Sequence, residues 1–588
     1  MDIILTGNQA IARAARDAGV ALGVGYPGTP STEVLETLVT LQDGVGQWAP
    51  NEKVALEVGI GVAFAGRRAL VTMKHVGLNV AADPLFTVAY TGVAGGLVIL
   101  VADDPGMHSS QNEQDSRHYA RAAKVPMLEP ADSQEAYDFT RLAFTLSEEF
   151  DTPVLLRTAT RLSHGKSLVT PGDPLTDTAT ATPPANPMKY VMIPAFARQR
   201  HEFVEARMAR LEAWANASAL TRVEYRDRRI GIITAGIAYQ YVRDAAPDAS
   251  ILKLGITNPL PMDAIRTFAA AVETLYVVEE LDPVLEEQIR AAGIPVIGKE
   301  RFPLCGEFTP AVIAAGLGQE IAVPAGIPDL PQRPPAMCPG CPHRGVFWIL
   351  KRLGLTVSGD IGCYTLGVAA PLVALDTCVC MGASIGVAHG LVKAGIDPST
   401  VVGVIGDSTF LHSGITGVLD MVYNNAPATI LILDNGTTAM TGRQEHPGTG
   451  HTLDGAPAAA VDLLALVRAL GVQDVAVVDP YDLETTTGAV KHALRHPGPS
   501  VIIARRPCML IPHEARARVA VREDVCKLCG ACLRLGCPAI SKTPVEVDGK
   551  TRAMPVIDSQ LCTGCGVCAS VCPFDAIQPI GSAKGEEA

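Results

Sequence analysis

Eight of the chain's 15 cysteines fall within its last seventy or so residues, in two runs that each end in Cys-Pro. The second run is Cys562-x2-Cys565-x2-Cys568-x3-Cys572-Pro573, and the first is Cys526-x2-Cys529-x2-Cys532-x4-Cys537-Pro538. Three thiolates spaced two residues apart can wrap one face of a 4Fe-4S cube, leaving a remote fourth cysteine in each run. Disulfides and zinc are the alternatives, and neither accounts for two Cys-Pro runs of this spacing. The extra residue before Cys537 leaves the nuclearity of one cluster open. A cluster pair implies one-electron chemistry, so the rest of the chain must supply the electrons.

At 588 residues the chain is too long for one core and is expected to hold three or four domains. A net charge of -13 argues against a nucleic-acid partner, because phosphate is repelled over most of the surface. It says little about small anionic substrates, which a local basic pocket can still bind. The opening MDIILTGNQA lacks a basic segment ahead of an apolar one, and no apolar stretch of roughly 18 residues follows. Neither a secretory signal nor a membrane span is therefore expected. Cysteines in such a chain point to metal ligation in a reducing cytoplasm rather than to disulfides.

Two linker-like stretches, 170–187 (Pro, Thr and Ala) and 323–336 (proline-dense), divide the body. Ahead of the first, apolar runs Ala69–Met73 and Gly96–Ala102 alternate with helical patterns Asn8–Ala18 and Val54–Ala65, the signature of α/β folding on a buried parallel sheet. The middle segment repeats it, with a helix near 200–216 and strands Arg229–Ala235 and Thr274–Glu279. The third segment is α/β again. The expected domains are 1–169, 188–322, 337–512 and 515–580, with a disordered tail beyond Ile580.

In the third segment the apolar run Val401–Ile405 ends in Gly406-Asp407-Ser408, and a second strand, Ala428–Leu433, ends at Asp434-Asn435-Gly436. Strand, tight turn, helix and strand place a carboxylate and an amide at neighbouring strand ends. Asp407, Asn435 and the carbonyl of Thr437 can bind one hard cation such as Mg²⁺, while the glycine and the helix N-terminus leave room for a diphosphate. Asp after a strand can equally be a plain helix cap.

The spacing from Asp407 to Asn435 resembles the thiamin diphosphate motif, GDG followed by Asn about thirty residues on, with Ser408 in place of the second glycine. Upstream, Met381-Gly382 resembles the helix start that supports the bent cofactor in several such enzymes. Asn51-Glu52 resembles the Asn-Glu of thiamin-dependent decarboxylases, where the glutamate bonds the aminopyrimidine ring and promotes deprotonation of the thiazolium carbon. A glutamate favoured by the helix dipole is the plainer reading. Glu57 ranks behind Glu52.

Tyr26-Pro27-Gly28-Thr29-Pro30-Ser31 looks like the YPxTPS loop of 2-oxoacid:ferredoxin oxidoreductases, and the cysteine tail resembles two-cluster bacterial ferredoxins. Together with Cys338-Pro-Gly-Cys341-Pro-His343-Arg344 and Gly362-Cys363-Tyr364, the likeness is closest to the indolepyruvate branch of that family, from Leu5 to about Ile580. It implies two doubly wound thiamin-binding α/β domains, a transketolase-C-terminal-like α/β domain between them, and a ferredoxin-like α+β domain. It implies crossed ligation, Cys526, Cys529, Cys532 and Cys572 holding one cluster and Cys562, Cys565, Cys568 and Cys537 the other. The implied cofactors are thiamin diphosphate, Mg²⁺ and two 4Fe-4S clusters. An arylpyruvate is the implied substrate, coenzyme A the acyl acceptor and ferredoxin the electron acceptor. A smaller beta subunit completes a heterodimer or heterotetramer.

The family pattern also gives Thr29 the substrate carboxylate, with a helix cap as its plain role. His75, His412 and His446 are candidates for proton transfer, with a purely structural role as the equal alternative for each. The polar stretch Asp104–Arg117 is expected to line the site mouth through Gln114 and Asp115. Cys338, Cys341, Cys363 and Cys508 follow the order of a further cluster in relatives, with zinc or inert core thiols as alternatives and His343 as a substitute ligand. Three rivals remain: another 2-oxoacid specificity within the same family, a non-catalytic electron-transfer subunit, which would not need Asp407, Asn435 and Glu52, and a non-oxidative thiamin enzyme, which would not need the cysteine tail.

Overall fold

The computed structural model describes residues 2–41, 44–175, 180–319, 334–512, 516–547 and 549–580. The chain divides into two compact units, Met1–Pro328 with Thr452–Ala456, and Asp329–His451 with Pro457–Ala588.

The first unit is built on a seven-stranded sheet in the order Ile256–Asn258, Met127–Leu128, Val154–Ala159, Leu97–Asp103, Ala69–Lys74, Leu22–Gly25, Gly46–Trp48. Its pairs are parallel except at one edge, where Ile256–Asn258 runs antiparallel. Alternate side chains of a strand face opposite sides. Val98 and Leu100 accordingly enter one core, with Leu70 and Leu156, while Leu97, Ile99 and Val101 enter the other, with Val71 and Leu155. Both faces are covered, so these strands read as unbroken apolar runs.

A four-stranded sheet, Thr274–Val278, Asp227–Ala235, Ala249–Leu254 and Thr221–Glu224, forms the middle α/β layer, parallel except for its last pair. It is fastened to the first sheet by more than the added edge strand. The helix Pro194–Ala217 buries Arg207, whose guanidinium donates to the carbonyls of Asp151 and Ala89 at 2.9 Å each. Arg117 and Arg157 anchor a buried ionic network. Arg117 pairs with Asp115 and Glu279, and Arg157 with Asp103 and Glu129 at 2.6 Å each. Such a network holds only because every charge in it finds a partner. Asp115 is therefore structural, which corrects its expected place at the site mouth, and Gln114 bonds its exposed neighbour Asn112.

The first linker is held along this unit, with Leu175 N donating to Asp17 O and Thr182 N to Ala65 O. The second linker lies outside the described residues up to 333, as does the tail beyond Ile580.

In the second unit six parallel strands run in the order Thr377–Cys378, Thr356–Gly359, Val401–Gly406, Thr429–Asp434, Ser500–Arg505, Asp474–Val478. The winding reverses between Thr356–Gly359 and Val401–Gly406. A ligand crevice in an open α/β sheet forms at the carboxyl ends beside such a reversal. The two strands lead into Asp360 and Asp407.

The cysteine-rich segment follows as a hairpin, Ile540–Val547 with Lys550–Ile557, and a short ladder, Val519–Val521 with Ile577–Pro579. Its core of Cys532, Leu535, Val567 and Cys568 is shared with Ile349, Tyr481 and Leu483 of the six-stranded domain. No described helix is long and apolar enough to cross a membrane.

Candidate active site

Asp407 is buried where the strand Val401–Gly406 passes directly into a helix. One carboxylate oxygen accepts from Ser408 N at 2.8 Å, and the other from Asn435 N at 3.2 Å and Gly436 N at 2.7 Å. Thr437 N donates to the Asn435 side-chain oxygen at 3.2 Å. Gly406, Asp407, Ser408, Asn435 and Thr437 are thus gathered in one cradle. Ser408 fits without a glycine, its hydroxyl 2.8 Å from that of Thr438. At Gly406 an added Cβ would stand 2.7 Å from the Tyr364 ring.

The oxygen donors form a hard set: a carboxylate, an amide oxygen and a backbone carbonyl on adjoining turns, which suits Mg²⁺. No three His, Cys, Asp or Glu side chains among the described residues converge on a single-ion position. Two of these three donors are of other types, so the two facts agree.

Met381-Gly382 is joined to the cradle through residues that the sequence did not single out. Asp360 accepts from Gly382 N at 2.9 Å and Ser384 N at 3.0 Å, capping the helix Ala383–Lys393. Burial holds its carboxyl above the usual range. Gly382 has φ +87°, and a Cβ there would meet Ser413 Cβ at 2.6 Å, so the position demands glycine. His343 lies 3.3 Å from the Asn435 side-chain amide, and burial pushes its imidazole down to about 4. His446 stands 3.3 Å from Asp407 without hydrogen-bond alignment, and His412 bonds Ser413.

Glu52 opens the helix Glu52–Phe64, capped by Asn51, whose side chain accepts from Val54 N at 2.9 Å. It is buried against the bare backbone of Gly77, where a Cβ would stand 2.6 Å from its carboxylate. His75, two residues earlier, is buried with both ring nitrogens lacking a hydrogen bond. Glu57 is exposed and paired with Lys53, which removes it as the alternative.

Thr29 lines a cavity with Asp104, His108, Ser109, Arg161 and His164. The following helix starts at Thr32, so Ser31 rather than Thr29 holds the cap position.

Cys526, Cys529, Cys532 and Cys572 line one cavity, the grouping that crossed ligation requires. Burial pushes the Cys568 thiol up to about 12, and its neighbours Cys565, Cys537 and Cys562 add to the rise. The extra residue before Cys537 is absorbed by a tight helical turn, Leu533–Leu535, closed by Gly536 at φ +64°.

The four upstream cysteines also come together. Burial pushes the Cys341 thiol up to about 12 and that of Cys363 to about 11; Cys338 and Cys363 act on the first, and Cys508 and Cys338 on the second. The four thiols are thus near enough to act on one another, the proximity that a shared cluster needs. His343 is turned to Asn435 and is not needed as a ligand.

Residues 13–213 match the pyruvate flavodoxin/ferredoxin oxidoreductase thiamine-diphosphate-binding family, 360–504 the C-terminal TPP-binding domain of thiamine pyrophosphate enzymes, and 555–578 the 4Fe-4S binding domain. The indolepyruvate oxidoreductase subunit IorA of Archaeoglobus fulgidus is 40% identical over 99% of this chain and 98% of its own. That of Methanothermobacter marburgensis is 42% identical over 98% and 97%. A solved 2-oxoglutarate:ferredoxin oxidoreductase from Magnetococcus marinus superposes on 54% of this chain and 65% of its own, at 18% identity and a TM-score of 0.46. At such identity over nearly their whole length, the chain belongs to the family of indolepyruvate oxidoreductase IorA subunits, and is the catalytic subunit of a thiamin diphosphate-dependent, iron–sulfur enzyme that oxidatively decarboxylates a 2-oxoacid and passes the electrons to ferredoxin.

Proposed function

We propose that the 2-oxoacid is an arylpyruvate of the indolepyruvate class, that coenzyme A takes the acyl group, and that a smaller beta subunit completes the enzyme. The observation that carries this reading is the likeness along the whole chain to subunits named for indolepyruvate. Thiamin diphosphate supplies the electron sink for decarboxylation when bound.

The chain's own residues then divide the work. Asp407, Asn435 and Thr437 would hold Mg²⁺, which would neutralise the charge of the diphosphate. Gly382, fixed by Asp360, lets the backbone at Met381 approach the cofactor. Glu52, capped and desolvated at a helix start, holds and moves the proton that activates it. Thr29 orients the substrate carboxylate from its cavity wall. The crossed cysteines of the tail would hold two clusters, and Cys338, Cys341, Cys363 and Cys508 a third, which would supply the one-electron chemistry.

Arg161 and His164 in the wall of the Thr29 cavity favour a rival, a small or acidic 2-oxoacid. Assay of the purified complex with indolepyruvate, phenylpyruvate, pyruvate and 2-oxoglutarate and a viologen acceptor decides between them. The arylpyruvates should show the highest kcat/KM, and a preference for 2-oxoglutarate or pyruvate would overturn the assignment.

A further inference from the structure

Arg344 and Tyr481 carry no role in the chemistry described so far, yet both are buried between two cysteine groups. Arg344, on the helix His343–Leu353, spends both terminal nitrogens of its guanidinium on backbone carbonyls, while its Nε is buried without a hydrogen-bond partner among the described residues. One terminal nitrogen donates to Leu535 O at 2.8 Å and Gly536 O at 2.7 Å, the two residues ahead of Cys537. The other donates to Met337 O at 2.6 Å and Cys338 O at 3.2 Å. Among the described residues no carboxylate bonds this buried guanidinium, so its charge falls on its surroundings, and Cys341 and Cys565 both feel it. A planar fork of donors can make four such bonds where an ammonium cannot.

Tyr481 closes the same seam. Its hydroxyl donates to the carbonyl of Gly340, inside the Cys338–Cys341 loop. Its ring is flanked by the guanidiniums of Arg506 at 4.4 Å and Arg516 at 5.3 Å from the centroid. Gly340 has φ +70°, and a Cβ there would stand 2.1 Å from the Thr563 hydroxyl, so the two Cys-x2-Cys loops touch backbone to side chain. The extra residue of the first run also acquires a purpose, because the turn it creates presents the two carbonyls that Arg344 binds.

We propose that Arg344 and Tyr481 are positioning residues that clamp the Cys338–Cys341 loop onto the loops bearing Cys537 and Cys562–Cys565. The cluster on Cys537, Cys562, Cys565 and Cys568 is thereby the first acceptor within the tail, and the one beside exposed Cys529 is the exit to ferredoxin. One electron crosses the seam at a time; no bond forms or breaks, and neither residue is oxidised. The Arg344 cation favours the more negative, reduced state of the clusters on both sides.

The inference rests on the upstream cluster proposed above, and iron analysis separates the two. About twelve irons per chain in the native complex supports that cluster, whereas about eight removes it and this inference with it. Given twelve, the test is a reductive titration of the native complex, Arg344→Met and Tyr481→Phe, followed by electron paramagnetic resonance. In Arg344→Met the midpoint potentials of both flanking clusters should fall at unchanged iron content. Reduction of the exit cluster by substrate should slow about ten-fold, with its own potential unmoved. Native potentials and native spin–spin coupling in that variant would overturn the proposal. If Arg344→Met does not assemble, the isosteric Tyr481→Phe decides: weakened coupling between the flanking clusters supports the clamp, and native coupling ends it.

Discussion

The backbone amide of Cys508 donates to the carbonyl of Asn435 at 2.9 Å. A candidate cluster ligand and a candidate magnesium ligand are thus joined by a single hydrogen bond, at the ends of neighbouring parallel strands. With the proposed upstream cluster in place, an electron leaving the diphosphate cradle would meet iron within the same domain.

That bond is made by backbone, so it survives truncation of the side chain. Cys508→Ala should therefore lose the upstream cluster, about four irons per chain, while thiamin diphosphate still binds in the presence of Mg²⁺. Iron analysis together with bound-thiamin determination checks both halves. Full iron in this variant would show that Cys508 is no ligand.

Asp407→Ala and Asn435→Ala should abolish Mg²⁺-dependent binding of thiamin diphosphate. The visible spectrum of the cysteine tail should be unchanged, since its ligands lie on other elements. Calorimetric titration of the cofactor with and without Mg²⁺ makes the comparison. Native affinity in both variants would remove the magnesium assignment.

The cysteine runs were legible in the sequence because a cube face is built from residues a few positions apart, and the Gly-Asp-Ser…Asn pair because each half is a short motif at the end of an apolar strand, although 28 positions separate the two. Asp360 was not legible. It caps the helix behind Met381-Gly382 from another strand end, 22 positions away, and nothing local marks it. Arg344 was quoted only as part of a cysteine motif, because the carbonyls it binds lie 191 and 192 positions away. The reading of Asp115 failed for a physical reason. A polar run after a buried strand can be satisfied inward as well as outward, and Arg117 and Glu279 take it inward. Glu57 and Glu52 were separable only by helix phase, which places one in solvent and the other beneath Gly77.

Glu280 offers a test of the buried network. Burial pushes its carboxyl up to about 7, where it accepts from Phe308 N at 2.8 Å. Between the ordinary glutamate value and about 7 the folded chain keeps a proton that the unfolded chain has lost, so stability falls as pH rises through that window. The whole effect is about 3 kcal/mol. Glu280→Gln should remove it. Thermal unfolding at pH 5 and pH 7.5 should show the native protein losing more on the alkaline side than the variant does. Equal pH dependence in the two proteins would mean that Glu280 is already ionised at pH 5.

Glu52→Gln is the most direct probe of catalysis. The carboxylate sits at a capped helix start, desolvated against Gly77, so an amide of nearly the same shape fills its place without a cavity. Cofactor binding, assigned above to Asp407 and Asn435, should be preserved, and the iron–sulfur spectrum with it. Turnover should fall by about 10²–10⁴-fold, because an amide cannot move the proton that a general acid–base group moves. The fall should appear in kcat with little change in KM, since the residue is not assigned to substrate binding. Exchange of the thiazolium C2 proton into deuterated solvent, followed by proton NMR after acid quench, reads this step without the later electron transfers. Native exchange in Glu52→Gln alongside depressed turnover would move Glu52 out of cofactor activation, and native values of both would move the proton relay to another group.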